Sequence, residues 1–263
     1  MNIAITMSGV SRYPEKSYLS LKNQIIIPLQ NKGCNVKIFV HTWDTKTVID
    51  QKWGYDNKKI KPANETDFKL SKKWYKENEE LDIKNTICDI INVDDFLIED
   101  NKSYTETFNK IKNGLPRPSM KSPFNLISSL YSKYQVFLLK EKYELENNIN
   151  FDIVIRHRTE FNIDVENIFE IVNFSKENNT LIFPYWKLWN SKTKKRIPDF
   201  TLVGPSKLTN IIDSVYSIGL DEYIKKPKHF NPHQLMEIII SKHKIPYTNS
   251  NNSKFYLKNF FEK

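Results

Sequence analysis

Asn2-Ile3-Ala4-Ile5-Thr6-Met7-Ser8-Gly9 and Val36-Lys37-Ile38-Phe39-Val40-His41-Thr42-Trp43-Asp44, with Lys16 to Asn31 between them, decide the fold. The first stretch reads as a buried strand over residues 2–8 that stops at Ser8-Gly9. After a loop holding Arg12 and Pro14, Leu19, Leu21, Ile25, Ile26 and Leu29 recur at near-helical spacing over residues 16–31. Lys32-Gly33-Cys34-Asn35 ends that helix, and Val36 to Val40 forms a second strand that delivers His41-Thr42-Trp43-Asp44 at its C-terminal end. Strand, helix, strand is the unit of a parallel sheet with helices packed on it.

Outward from this unit, residues 45–120 are lysine-rich and punctuated by Pro62, Gly114, Pro116 and Pro118, and they read as an excursion with short helices and a strand near Ile87 to Val93. Asn125 to about Asn148 predicts a long helix, since Leu126, Leu130, Tyr134, Phe137, Leu138 and Tyr143 share one apolar face. It runs into Phe151-Asp152-Ile153-Val154-Ile155-Arg156, a short strand expected to be central. Further strands are predicted around Leu181 to Tyr185 and Phe200 to Val203, and helices around Lys207 to Ile218 and Pro232 to His243. With no internal repeat or linker, the economical reading is one α/β domain over residues 1–263.

Composition narrows the function. The 263 residues carry 40 basic and 31 acidic side chains, a net charge of +9, and 39% hydrophobic content, enough for a core. The six glycines (9, 33, 54, 114, 204 and 219) form neither a G-x-G nor a Walker-type loop, which argues against Rossmann dinucleotide binding and P-loop hydrolysis. Cys34, Cys88 and five scattered histidines have no zinc-finger spacing. The chain runs from Met1-Asn2 straight into an apolar strand, and no window approaches the roughly 20 apolar residues of a membrane span, so the cytoplasm is the expected compartment. The charge is almost wholly lysine. It reads first as a solvated surface, with peripheral attraction to an anionic inner membrane face or an anionic substrate as the functional alternative. The lysines are scattered and no helix-turn-helix or RNP pattern is present, so nucleic acid is not an expected partner.

The chemistry concentrates in Ile155-Arg156-His157-Arg158-Thr159-Glu160-Phe161-Asn162-Ile163-Asp164. Two of the five arginines stand two residues apart at the end of an apolar strand, and a period of two puts both on one face, joined by Glu160 if the strand continues. Buried charge of this kind needs neutralising partners. Either an anionic ligand meets the guanidiniums at the C-terminal end of the sheet, or they pair internally with carboxylates such as Glu160 or Asp199.

These residues, together with Ile3 to Gly9 and Arg12, Phe39-Val40-His41-Thr42-Trp43, and the long helix before Phe151, resemble a group of bacterial and viral polysaccharide-type (LPS-type) glycosyltransferases with a GT-A-like fold. Ile197-Pro198-Asp199-Phe200-Thr201-Leu202-Val203-Gly204 looks like the group's aspartate-led strand ending in glycine, and Asn231-Pro232-His233-Gln234-Leu235 looks like one of its helix starts. The resemblance spans most of the chain outside residues 45–120. It implies a nucleotide-sugar donor, with Ser8, Gly9, Arg12, Arg156 and Arg158 contacting base, ribose or phosphate, and a glycan or lipid-linked glycan acceptor. Without it, Ser8-Gly9 is only a turn.

Two departures from the group's pattern matter. Glu160 stands where the group usually has aspartate, and there is no Asp-x-Asp, the nearest approach being Asp164-Val165-Glu166. Metal-dependent relatives use paired carboxylates to hold Mn²⁺ or Mg²⁺ against the diphosphate. Here either Glu160 with Asp164 holds such an ion, or Arg156 and Arg158 stabilise the leaving diphosphate without it. His233 replaces the group's glutamate. Behind a good N-cap, Asn231, and Pro232 in the first turn, it would contact phosphate, act as base toward an acceptor hydroxyl, or have no role. Asp199 is the lone carboxylate best placed as general base or sugar contact, with pairing to Arg156 or Arg196 as its alternative. Phe183-Pro184-Tyr185-Trp186-Lys187-Leu188-Trp189-Asn190 gathers aromatics that serve either the core or an acceptor sugar. The competing class is a non-catalytic nucleotide- or carbohydrate-binding module on the same fold.

Overall fold

The computed structural model describes residues 1–44, 81–101, 104, 106, 123–159, 161–184, 197, 200–214, 232–250 and 255–259. β1 (Asn2–Gly9) is central because Ile3 to Ser8 are all buried, a run suited to a strand covered on both faces. β2 (Asn35–Trp43) pairs parallel along one edge of β1, and β3 (Asp95–Glu99) pairs parallel to β2. Along the other edge of β1 lies β4 (Ile153–Arg158), also parallel. The sheet continues through β7 (Thr201–Pro205), β6 (Leu181–Phe183) and β8 (Tyr247–Asn249), giving the seven-stranded order β3-β2-β1-β4-β7-β6-β8. β7 is antiparallel to both its neighbours, and β8 is parallel to β6. The mostly parallel α/β sheet flanked by helices is the architecture expected from the opening residues.

The connection from β1 to β2 covers one face. It consists of α1 (Pro14–Leu21), a π-helical turn (Lys22–Ile26) and α2 (Ile27–Asn31), where the periodicity predicts one continuous helix. Pro28 explains the interruption. Its ring crowds the carbonyl four residues back and it offers no N–H, so the ladder slips and Ile27 N–H reaches Lys22 O instead. Tyr18, Leu21, Ile25 and Leu29 then pack on Ile3, Ile5, Met7, Ile38 and Val40, with Ile83 and Ile87 of α3 (Ile83–Cys88) in the same cluster.

The crossover to β4 covers the other face. α4 (Pro123–Asn147) sets Val136 against Ala4, Phe39 and Val154. α5 (Ile168–Glu177) returns to the first face through Ile168 and Val172. α6 (Ser206–Asp213) and α7 (Pro232–Lys242) complete the α4 side, where Leu208, Ile212, Leu235 and Ile239 meet Leu130, Phe183 and Leu202. β5 (Phe161–Val165) and β9 (Phe255–Asn259) form a separate antiparallel ribbon. Gly204 has no room for a side chain, since a Cβ there would fall 2.2 Å from the buried Leu181 Cδ2. No described helix is long and apolar enough to cross a membrane.

Some elements differ from the sequence reading. The strand expected at Ile87 to Val93 is displaced, because Asp82 caps α3 by accepting from Asn85 N–H at 3.0 Å and the strand begins only at Asp95. Asp94 holds that entry beside β2, accepting from Ile38 N–H at 2.8 Å and Lys37 Nζ at 2.9 Å. α5 was not anticipated. It starts at Asn167, whose side chain accepts from Glu170 N–H.

His157 is sealed in the sheet, its ring nitrogens 2.7 Å from Thr201 Oγ1 and 3.0 Å from the Phe161 carbonyl. Burial is the main cause that pushes its pKa from 6.5 down to about 4. The unfolded chain therefore takes up this proton first. Stability from this group is complete above pH 6.5 and drains away down to about pH 4, roughly 3 kcal/mol in all. Urea denaturation of wild type and His157→Gln at a series of pH values should show this segment of slope in the wild type only.

Candidate functional site

β1 and β4 are neighbours, yet the chain leaves β1 over one face and arrives at β4 over the other. Their C-terminal ends therefore open a topological switch point, the place where an α/β sheet leaves a crevice for ligand. Two segments border it: the loop 9–13 after β1, and Arg158-Thr159 at the end of β4.

Four elements hold the loop. Gly9, at φ +118°, adopts a turn that a side chain would strain, and its N–H donates to Ser132 Oγ of α4 at 3.0 Å. Val10 O accepts from Thr159 Oγ1 at 2.9 Å and from Arg12 N–H at 2.9 Å. Ser11 N–H donates to Thr42 Oγ1 of β2 at 3.2 Å, and Ser11 Oγ lies 3.0 Å from the Tyr18 hydroxyl of α1. Burial drives the Tyr18 pKa up, so its hydroxyl stays protonated at any working pH. Of the expected nucleotide contacts here, the Ser8 side chain is sealed at 1% exposure, whereas Arg12 is half-buried beside the crevice.

The two arginines part company. Arg156 is 1% exposed and its guanidinium meets Asp213 of α6, itself 3% exposed. One internal partner is Asp213, 57 residues away in sequence, and Arg156 does not project at the rim; the carboxylates expected for this role, Glu160 and Asp199, lie outside the described residues. Arg158 lies opposite Ser8 at the strand end, half-buried, with its guanidinium carbon 5.2 Å from the centre of the Phe200 ring and 6.0 Å from that of Phe161. A cation held over aromatic faces keeps its charge while its orientation is restricted.

Asp164 sits half-buried on β5, pointing away from the core that Phe161, Ile163 and Val165 enter. Among the described residues no three His, Cys, Asp or Glu side chains gather as a metal site. Glu160 and Asp199 lie outside the described residues, as do residues 185–190 of the aromatic patch. His233 falls in the first turn of α7, where the backbone alone is described. Trp43 is core, packed with Tyr104 and Tyr131, and Asp44 N–H donates to Glu99 O at 2.9 Å.

One cluster escaped sequence reasoning. His41 Nδ1 lies 2.7 Å from Ser132 Oγ and its Nε2 lies 2.8 Å from Glu99 Oε2, while Tyr131 Oη donates to Glu99 Oε1 at 3.0 Å. Burial works against ionisation of Glu99, but the bonds from His41 and Tyr131 outweigh it and hold the carboxyl below its ordinary range. The available signal was a histidine at the end of an apolar strand and a serine beside Lys133 in the long helix, too far apart in sequence to be joined by spacing.

No protein-family profile matches the chain, and no curated protein matches it in sequence. Among solved structures, it is similar to a galactosyltransferase, LgtC, in complex with donor and acceptor sugar analogs, at 11% identity and TM-score 0.41 over 95% of this chain and 74% of that one. It is likewise similar to a glycosyltransferase involved in glycosylation of the major capsid of PBCV-1, at 8% identity and TM-score 0.39 over 95% and 82%. A third is 4-diphosphocytidyl-2C-methyl-D-erythritol synthase from Anaerococcus prevotii DSM 20548, at 12% identity and TM-score 0.39 over 97% and 89%. All three scores fall below 0.5, so the crevice is placed by this chain's own topology and residues.

Arg156→Met should cost about 3–5 kcal/mol in urea denaturation, because it leaves Asp213 buried and uncompensated. Adding Asp213→Leu should recover most of that loss.

Proposed function

We propose that the chain is a glycosyltransferase, folded as one GT-A-like domain over residues 1–263 with a variable excursion at about 45–120. In this reading it moves a sugar from a nucleotide-sugar donor to a hydroxyl of a glycan or lipid-linked glycan. The observation that carries it is a half-buried arginine, Arg158, at the mouth of the β1/β4 switch point. The resemblance of Ile3 to Arg12 and Phe151 to Glu160 to the GT-A-like group supplies the reaction class.

The donor's diphosphate lies across the crevice between Arg158 and Arg12. A guanidinium fork matches its oxygens and neutralises the charge that grows as the glycosidic C–O bond breaks. Arg156 acts behind the site by keeping the end of β4 rigid through Asp213. The acceptor hydroxyl oxygen attacks the anomeric carbon, a carboxylate or imidazole takes its proton, and the nucleoside diphosphate leaves. Asp199 is the proposed base, with Glu160 and His233 as the other proposed catalytic groups. Mn²⁺ or Mg²⁺ held by Glu160 and Asp164 would neutralise the same diphosphate charge, and no step above depends on it. The net charge of +9 suits peripheral contact with an anionic membrane surface, where lipid-linked acceptors reside.

The test is a thermal-shift screen with UDP, GDP, CDP and CMP, followed by release of nucleoside diphosphate from a panel of nucleotide sugars with and without Mn²⁺. One nucleotide should raise the melting temperature. Arg158→Met should weaken its binding by about 10- to 100-fold, the worth of a charge-assisted contact. No shift with any nucleotide and no release from any sugar would overturn the proposal. Binding without release would assign the chain to the non-catalytic class.

A further inference from the structure

The cluster of buried Ser132 and His41 with the half-buried Glu99 has the membership of a hydrolytic triad, but it does not have the geometry of one. Ser132 and His41 are both 0% exposed, and Ser132 lies in the middle of α4, so no scissile carbonyl reaches its Oγ. What the distances define is a chain of hydrogen bonds, whose direction follows from the acceptor role of Glu99. The ionised Glu99 accepts from the Tyr131 hydroxyl and from His41 Nε2–H. The geometry is met with the His41 proton assigned to Nε2, facing Glu99, and Nδ1 accepting the Ser132 hydroxyl hydrogen. Ser132 Oγ is then left to accept from Gly9 N–H.

We propose that Ser132, His41 and Glu99 form a positioning relay that sets the turn after β1 for the donor's diphosphate, an inference that rests on the glycosyltransferase reading. The relay ties the mouth of the crevice to the middle of the long helix on one side and to the end of β3 on the other. It turns Gly9 N–H inward, away from any ligand. Because Arg12 follows three residues later on a loop fixed at Gly9, Val10 and Ser11, the direction of the Gly9 peptide sets where the Arg12 side chain emerges. Glu99 fixes which His41 nitrogen carries the proton, and the Nδ1–Ser132 link is the one that reaches Gly9, so losing that link frees the turn whereas losing the Glu99 link alone does not.

Two histidine variants separate the links. In His41→Asn, the side-chain oxygen occupies the place of Nδ1 and accepts from Ser132. In His41→Gln, the amide nitrogen takes the place of Nε2, which keeps Glu99 and abandons Ser132. The chain has only six glycines, so a ¹⁵N-glycine spectrum resolves the Gly9 amide directly. Ser132→Ala and His41→Gln should speed its hydrogen exchange at least about fivefold, with the Gly33 and Gly204 amides unchanged, while His41→Asn should stay near wild type. The nucleotide found to bind the wild type should bind Ser132→Ala and His41→Gln about 5- to 10-fold more weakly, and His41→Asn with near-normal affinity.

Unchanged Gly9 exchange in Ser132→Ala overturns the relay. So does equal nucleotide affinity in all three variants when the wild type binds. Equal weakening in His41→Asn and His41→Gln also counts against it, because it marks the histidine as plain packing. A wild type that binds none of the nucleotides fails the glycosyltransferase reading instead, and the exchange measurement then decides the tether by itself.

Discussion

Parallel pairing of β1 with β2 on one edge and β4 on the other is the constraint on which the molecule depends. A strand paired on both edges and covered on both faces has no solvent-facing side, so it must be apolar throughout, and Ile3 to Met7 meets that demand with a single buried hydroxyl, Thr6. Parallel neighbours also cannot be joined by a hairpin. Each connection must cross a face, and here the two crossings take opposite faces, α1 and α2 over one and α4 over the other. The crevice at the ends of β1 and β4 is what remains where the connections diverge. It is a product of connectivity before any side chain is considered.

Two arginines separated by one residue then acquire different work. Both leave β4 on the same face, and two residues of rise, about 6.6 Å, is enough to move from beneath α6 to the edge of the sheet. Arg156 is covered, and its charge is tolerable because Asp213 stands opposite. Arg158 passes the edge, lies over Phe200 and Phe161, and stays half-buried. The pair is divided into a buried anchor and a half-buried cation at the strand end.

The parts of this structure that were legible in sequence are those governed by local period. β1, β2, β4 and β7 each contain a short apolar run, and the long helix α4 a repeating apolar face. Misplaced or missed elements are short and decided by polar side chains: Asp82 capping α3, Asp94 bracing the entry to β3, Asn167 starting α5. The same division runs through the site. The Arg-x-Arg rim is contiguous and was visible, although its depth was not, since burial of Arg156 depends on an aspartate 57 residues away. His41, Glu99 and Ser132 lie on three elements brought together by packing, and no spacing rule connects them.

The loop after β1 joins these observations. Glycine-rich nucleotide sites grip phosphate with backbone N–H groups, which requires glycines clustered closely enough for the main chain to approach the ligand. This sequence has no such cluster, and in the structure three of the loop's amides are already taken: Gly9 by Ser132, Ser11 by Thr42, Arg12 by Val10. Composition and geometry therefore point the same way independently. The cationic side chains beside the β1/β4 opening, Arg12 and Arg158, stand on the two segments that border it. The inward hydrogen bonds of Gly9 and Ser11 occupy two of the loop's amide donors and at the same time hold the loop against α4 and β2.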